Sequence, residues 1–148
     1  MKKTLITAFC MLIVFIAVSR DGRQPPKHVR DAFQKEYPNS KSGVWNHSGT
    51  NWSVNFEDKD HNYGEVTAHF DSRGRHIDTN IPYDNNDVPA PVIDKVKHGY
   101  PTYNDYDVTR IDRSGENSVY KVNLRSKSTN RTLYLDEKGE KKSYHAGH

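Results

Sequence analysis

Three sets of residues in this sequence have the types and spacing that chemistry can use. Asp58-x-Asp60-x-Asn62 puts oxygen-bearing side chains at the alternate positions that open a calcium loop. Completing such a loop takes glycine at the sixth position and a bidentate glutamate at the twelfth. Tyr63 and His69 stand there instead, so the segment is expected to be a solvated hairpin tip. Ser118-Val119-Tyr120-Lys121 has the Ser-x-x-Lys spacing of a lysine-assisted serine nucleophile. That nucleophile must sit at a helix start, whereas Ser118 opens an alternating, strand-like run. Its usual partners, Ser-Asp-Asn and Lys-Thr-Gly, are also missing from the sequence. Eight histidines raise the question of a metal, but they are scattered, with no close pair inside a predicted element. His145 and His148 could hold a metal loosely, though a surface tail is the expected role. There is no Gly-x-Ser-x-Gly elbow and no glycine-rich phosphate loop. No catalytic residues, metal site or cofactor are expected.

The one remaining set is a surface rather than a reaction centre. Ser53, Asn55, Thr67 and His69 alternate with apolar residues in one half of the chain. Lys121, Asn123, Thr132 and Tyr134 do so in the other. Residues alternating in this way share one face of a sheet, opposite its core. His69, Tyr134, Lys121, Asn55 and Asn123 are therefore the candidate binding residues. Their mixture of neutral polar, aromatic and lightly charged groups suits recognition of a protein or peptide.

The elements that must position this face follow from the periodicity. Pro26–Pro38 and Pro89–Pro101 align at a constant offset of 63, matching Val29 to Val92, Phe33 to Val96 and Tyr37-Pro38 to Tyr100-Pro101. Apolar residues four apart form one stripe on a helix. A proline near the start suits the first turn. The closing Tyr-Pro ends the helix, because the residue before proline avoids helical dihedrals. After each helix the period becomes two: Trp52, Val54, Phe56 and Val66, Ala68, Phe70 in one half, Tyr120, Val122, Leu124 and Leu133, Leu135 in the other. Asp71-Ser72-Arg73-Gly74 and Asp136-Glu137-Lys138-Gly139 then read as tight turns. Shorter strands are expected near Val44-Trp45, Arg75–Asp78, Tyr106–Ile111 and Glu140–Ser143, with Asn80–Asp87 as the connection between halves. Phe33, Trp52, Val96 and Tyr120 are expected in the core. The predicted fold is α+β, a tandem pseudo-repeat. Each copy has one helix and three or four antiparallel strands, with the helices covering one face of the sheet.

The ends and the charge set the context. Met1-Lys2-Lys3 precedes an apolar run from Leu5 to Val18, and Ala17-Val18-Ser19 offers small residues for cleavage after Ser19. The run is shorter than the roughly 20 residues that cross a bilayer. Phe9 before Cys10, deep in that run, argues against a lipid-anchored cysteine. Residues 1–19 are thus expected to be a signal peptide and 20–148 one domain, with repeats at about 25–79 and 87–144. Cys10 is the sole cysteine, so the domain has neither a disulfide nor a thiol nucleophile. The formal charge of +3 includes Lys2 and Lys3, which leaves +1 on the domain. Acidic and basic residues intermingle without a stripe, which excludes nucleic-acid binding through clustered cations. No membrane span is expected in the mature chain.

The Pro-x-x-Val-x-x-x-Phe/Val-x-x-x-Tyr-Pro helix, the Trp/Tyr-x-Val-x-Phe/Leu strand and the Asp-x-x-Gly turn resemble those of the PepSY-like family of exported bacterial proteins. That family's duplicated fold is similar to that of β-lactamase inhibitor protein. The resemblance runs from about Pro25 to Tyr144. It implies a periplasmic or secreted binding module without established catalysis, an inhibitor or regulator of another envelope or secreted protein. The inhibitor's contact loops have no matching positions here. Two other readings stay open: a secreted hydrolase with a dispersed site, and a carrier of a small ligand or metal.

Overall fold

The two period-four stripes form two helices of matching construction. Helix α1 spans Lys27–Glu36 and buries Val29 and Phe33, while α2 spans Ala90–Gly99 and buries Val92 and Val96. Pro26 and Pro89 stand immediately before them, and their carbonyls accept the amides of Val29 and Arg30 and of Val92 and Ile93. At the other ends the amides of Tyr37 and Tyr100 close the last turns on Phe33 and Val96, and Pro38 and Pro101 stop further winding. The computed structural model describes residues 24–40, 43–84 and 87–144. The expected signal peptide and the His145/His148 pair lie outside the described residues.

Seven strands follow the alternating segments: β1 Val44–Ser48, β2 Asn51–Glu57, β3 Glu65–Phe70, β4 His76–Tyr83, β5 Asp105–Asp112, β6 Val119–Arg125 and β7 Asn130–Leu135. They pair in chain order as one antiparallel sheet, with α1 before β1 and α2 between β4 and β5. The register gives the sheet two distinct faces. Reading across it, Trp45 lies beside Val54 and Ala68, then Thr79, then Asp112. One pleat along, Arg110 neighbours both Ile81 and Tyr120, and Tyr120 neighbours Leu135. This face carries the core. Phe33 of α1 meets the rings of Trp45, Phe56 and Phe70 edge-on, with centroids 5.5, 4.9 and 6.4 Å away, an arrangement that adds quadrupole attraction to apolar burial. Val92 and Val96 of α2 pack on a second cluster with Val108, Tyr120, Val122, Leu124, Leu133 and Leu135. Phe33, Trp52, Val96 and Tyr120 are all buried, as expected.

Three local expectations need correction. Strand β4 runs on through Ile81 and Tyr83, inside the stretch read as a connection. Pairing with β5 outweighs the turn-forming composition of Asn80–Asp87, and Ile81 is buried. The strand expected at Glu140–Ser143 shrinks to a single bridge between Lys141 and Leu135. Asp58 is buried rather than solvated, because its carboxylate caps its own turn. Oδ1 accepts the amides of Asp60 and His61, and Oδ2 lies 2.9 Å from His61 Nδ1.

The two Asp-x-x-Gly turns fasten the sheet to the helices. In each, the glycine amide bonds the aspartate carbonyl, and the aspartate Oδ1 accepts two following amides. Gly74 and Gly139 take φ of +81° and +76°. A Cβ on Gly74 would lie 3.0 Å from the His28 carbonyl oxygen, and one on Gly139 only 2.5 Å from that of Pro91. Each turn is therefore seated on the first turn of a helix. Gly49 has a similar φ of +60° but open space around it. Gly49→Ala is expected to cost the left-handed backbone alone, about 1–2 kcal/mol. Gly139→Ala adds the clash with Pro91 and should shift the denaturation midpoint distinctly further. Equal midpoints would mean that α2 does not rest on this turn.

Candidate functional site

The face opposite the helices is built from the other half of every alternation. Ser53 pairs with His69 and His69 with Asp78; Thr109 pairs with Lys121 and Lys121 with Tyr134. Near the middle of this face is a cavity of about 210 Å³, lined in part by His69, Asp78, Asn80, Lys121, Tyr134 and Tyr144. Three of the five predicted residues thus share one concavity. The other two do not line it. Asn55 accepts the Thr67 hydroxyl at 3.0 Å, and Asn123 accepts the Thr132 hydroxyl at 3.0 Å while donating to Asp107 at 2.8 Å. Their amides are engaged in matching cross-strand bonds, β2 to β3 and β6 to β7.

Two residues that the sequence reasoning passed over organise the cavity. Asp78 is 3% exposed. Its Oδ1 lies 2.7 Å from His69 Nδ1, and its Oδ2 accepts the Tyr144 hydroxyl at 2.9 Å. Burial alone would push this carboxyl up, but the bonds from His69 and Tyr144 and the charge of Arg113 outweigh it and hold the group below its ordinary value. Asp78 is thus an anion at the foot of a half-buried site. The carboxylate also orients the His69 ring, which directs Nε2 away from Asp78.

Tyr144 comes from the segment after β7. The Lys141 bridge to Leu135 and the Lys142 amide bonded to the Tyr134 carbonyl turn the chain back along the sheet. The Tyr144 ring then stacks on Tyr134, centroids 4.7 Å apart and planes at 19°, with the Arg113 guanidinium 4.6 Å from its centroid. Ile111, 2% exposed, belongs to this face rather than to either apolar cluster. The centre of the face is consequently a packed polar–aromatic site and not the evenly wet surface that alternation alone implies.

On the helix side, the join between the two apolar clusters carries a second polar group. Arg110 donates to the hydroxyls of Tyr63 at 2.6 Å and Tyr83 at 2.8 Å and to Asp112 Oδ2 at 2.7 Å, and it lies against both tyrosine rings. Burial disfavours its charge, but the bonds to Tyr63 and Asp112 more than compensate and keep it protonated. Every one of its contacts is internal, which marks it as a structural pair. Ser118 donates to Asp112 on this side, while Lys121 is on the opposite face, so the Ser-x-x-Lys pair is split by the sheet. Among the described residues, no three His, Cys, Asp or Glu side chains are grouped to hold a metal ion. No described helix is long and apolar enough to cross a membrane.

No family model and no curated protein matches the chain. Solved structures do. A DUF2874 family protein from Bacteroides ovatus superposes with a TM-score of 0.70 at 18% identity, over 81% of this chain and 86% of that one. A protein of Bacteroides eggerthii, described as a candidate periplasmic protein, gives 0.69 at 15%, over 80% and 86%. A BLIP-like protein from Bacteroides fragilis gives 0.69 at 21%, over 82% and 85%. At these identities the likeness is one of fold, and the fold is BLIP-like α+β.

The Tyr144 contacts have a titration signature. Burial and the Asp78 carboxylate push its phenol up to about 12, with Arg113 opposing. The folded state therefore favours the protonated phenol. This stabilisation is complete below the ordinary tyrosine value of about 10 and is lost as pH rises through about 12. In alkaline titration, the tyrosinate absorbance of wild type minus that of Tyr144→Phe is expected to have its midpoint near about 12. A difference curve centred near 10 would put Tyr144 in solvent.

Proposed function

We propose that this chain is an exported, non-enzymatic binding module that docks a protein or peptide partner on its helix-free sheet face. One observation carries the reading: His69, Lys121 and Tyr134, predicted from alternation in separate halves of the chain, line one half-buried cavity over a buried carboxylate. Stacked aromatics beside a buried, hydrogen-bonded charge are the kind of group that contributes most at protein interfaces. We read residues 20–148 as one PepSY-like domain whose two halves, about 25–79 and 87–144, are copies of one helix-and-strands unit. The paired helix caps, the two seated turns and the matching Thr–Asn bonds support that reading. Inhibition or regulation of the partner is the role in keeping with a BLIP-like fold.

The hydrolase reading has one specific observation in its favour, the His69–Asp78 pair, which has the base-and-orienter geometry of a triad. Against it, no serine or threonine hydroxyl among the described residues bonds the His69 ring. Hydrolysis of an activated ester that is lost in His69→Gln would revive it.

Removing His69 would strand the buried Asp78 charge, a cost of stability in its own right. Lys121→Glu and Tyr134→Ala avoid that. In capture from an envelope extract, the partner retained by wild type should bind the double variant at least about tenfold more weakly, the scale of a lost interface anchor. Equal retention by a double variant of unchanged folding would move the site off this face. For export, mass spectrometry of the natural protein should find a mature N-terminus within a few residues of Arg20. Retention of Met1–Ser19 in a membrane fraction would argue for an anchor instead.

A further inference from the structure

The cavity on the helix-free face is already occupied at one end, and its occupant indicates what it selects. Tyr144 makes three contacts of different chemistry: its ring lies flat on Tyr134, the Arg113 guanidinium lies over the ring, and its hydroxyl donates to buried Asp78. Together they specify a flat ring carrying an O–H at its far end. Phenylalanine would satisfy the stack and leave Asp78 Oδ2 without its donor. Lysine would satisfy Asp78 and be repelled by Arg113.

The attachment of Tyr144 to the rest of the fold is slight. Residues up to Lys142 are held by the Lys141 bridge, the Lys142 amide bond and the Lys142 Nζ–Asp136 ion pair at 3.3 Å. Beyond Lys142, Ser143 is exposed, and Tyr144 touches the fold through its ring and hydroxyl. Rotation about the Ser143 backbone would withdraw the ring without disturbing any strand. What it would leave is an anionic, buried carboxylate with one oxygen unpaired, and an unpaired buried acceptor favours any group that restores the bond. Asn80 lines the same cavity, and its Oδ1 is buried without a hydrogen-bond donor. A peptide entering beside the ring could supply an amide N–H to it.

We propose that this slot is a recognition site for a tyrosine side chain presented by the partner, and that Tyr144 fills it in the free protein. The proposal rests on the helix-free face being the docking surface. It adds the chemistry of the group that enters: a phenol that stacks on Tyr134 and gives its hydroxyl to Asp78. The partner's tyrosine and Tyr144 compete for one position, so the free protein keeps Asp78 satisfied until an intermolecular phenol replaces the internal one. Tyrosine's enrichment at interfaces makes such a group a common feature of partner surfaces.

The test uses the full chain and N-acetyltyrosinamide as the probe, followed by the NMR shifts of the His69 and Tyr134 rings. Tyr144→Ala is expected to bind the probe with shifts at both rings, at least about tenfold more tightly than wild type, whose own tyrosine competes. N-Acetylphenylalaninamide should bind Tyr144→Ala about tenfold more weakly than the tyrosine probe, the effect of a lost bond to a charged acceptor. If Tyr144→Ala does not fold, Tyr144→Phe serves instead, because its ring lacks the bond to Asp78 and competes more weakly for the slot; it should also bind the tyrosine probe more tightly than wild type. Absence of shifts in a folded variant, or equal affinity for the two probes, would overturn the proposal. This outcome is separate from failure of the docking face. Loss of partner capture by Lys121→Glu/Tyr134→Ala without probe binding to Tyr144→Ala would leave the face and remove the slot. Probe binding with capture unaffected by the face variants would remove the docking role.

Discussion

The pairing of β4 with β5 is the constraint on which the rest of the molecule depends. Every other strand pair joins close neighbours in sequence, whereas this one spans the whole of α2 and its flanking loops. It aligns Thr79 with Asp112, Ile81 with Arg110 and Tyr83 with Val108, and so fixes the pleat of one half relative to the other. Because side chains alternate with a period of two, a slip of one residue at this junction would turn the second half over. α2 would then cover the opposite face from α1. His69 and Tyr134 would lie on different sides of the sheet. One register thus determines both where the helices pack and whether a shared polar face exists.

That junction sets a physical problem, since Arg110 falls on the core side between two apolar clusters. A buried guanidinium is costly unless its donors are paired. Tyr63, Tyr83 and Asp112 supply acceptors from three parts of the chain, and Ser118 takes the other oxygen of Asp112. A pleat slipped by one residue would carry Arg110, together with Asp112, to the other face and part it from Tyr63 and Tyr83. The charge therefore contributes less to net stability than to selecting one register over its neighbours. Tyr83 packs against both apolar clusters and bonds Arg110, so the join is apolar packing at its edges and a satisfied polar group at its centre.

The parts of this arrangement legible in the sequence were those set by local periodicity. Val29–Phe33–Tyr37 and Val92–Val96–Tyr100 form their stripes because a helix brings residues four apart together. Trp52–Val54–Phe56 and Tyr120–Val122–Leu124 alternate because strands do. His69 in one half, and Lys121 and Tyr134 in the other, fall opposite their apolar neighbours by the same rule, while the β4–β5 register brings them to one face. What could not be read was pairing. The β3–β4 hairpin aligns Phe70 with His76 but His69 with Asp78, because Ile77 is bulged out. Without the bulge, Ile77 would face His69, and Asp78 would stand opposite Ala68 on the core side. No local signal marks that extra residue, yet it creates the His69–Asp78 contact. Tyr144 was missed for a related reason: Glu140–Ser143 alternates like a strand, but only Lys141 pairs. Past Lys142 the described chain is held by the contacts of Tyr144, which have no periodicity to betray them.

The bulge also explains why the site lies at the centre of the sheet rather than at an edge. In a regular sheet the middle of a helix-free face is backbone covered by small polar side chains, with nothing recessed. Displacing Ile77 sinks a carboxylate into that surface, and a buried carboxylate demands donors. His69 satisfies one oxygen from the neighbouring strand, at the fixed spacing that cross-strand pairing provides. The second oxygen receives no bond from a neighbouring strand. Its donor must come from outside the sheet, and in the free protein the returning chain provides it through Tyr144. The same unmet requirement that draws the tail across the face makes the face selective: whatever displaces the tail must bring a donor to the same oxygen, at the same depth, against the same tyrosine ring.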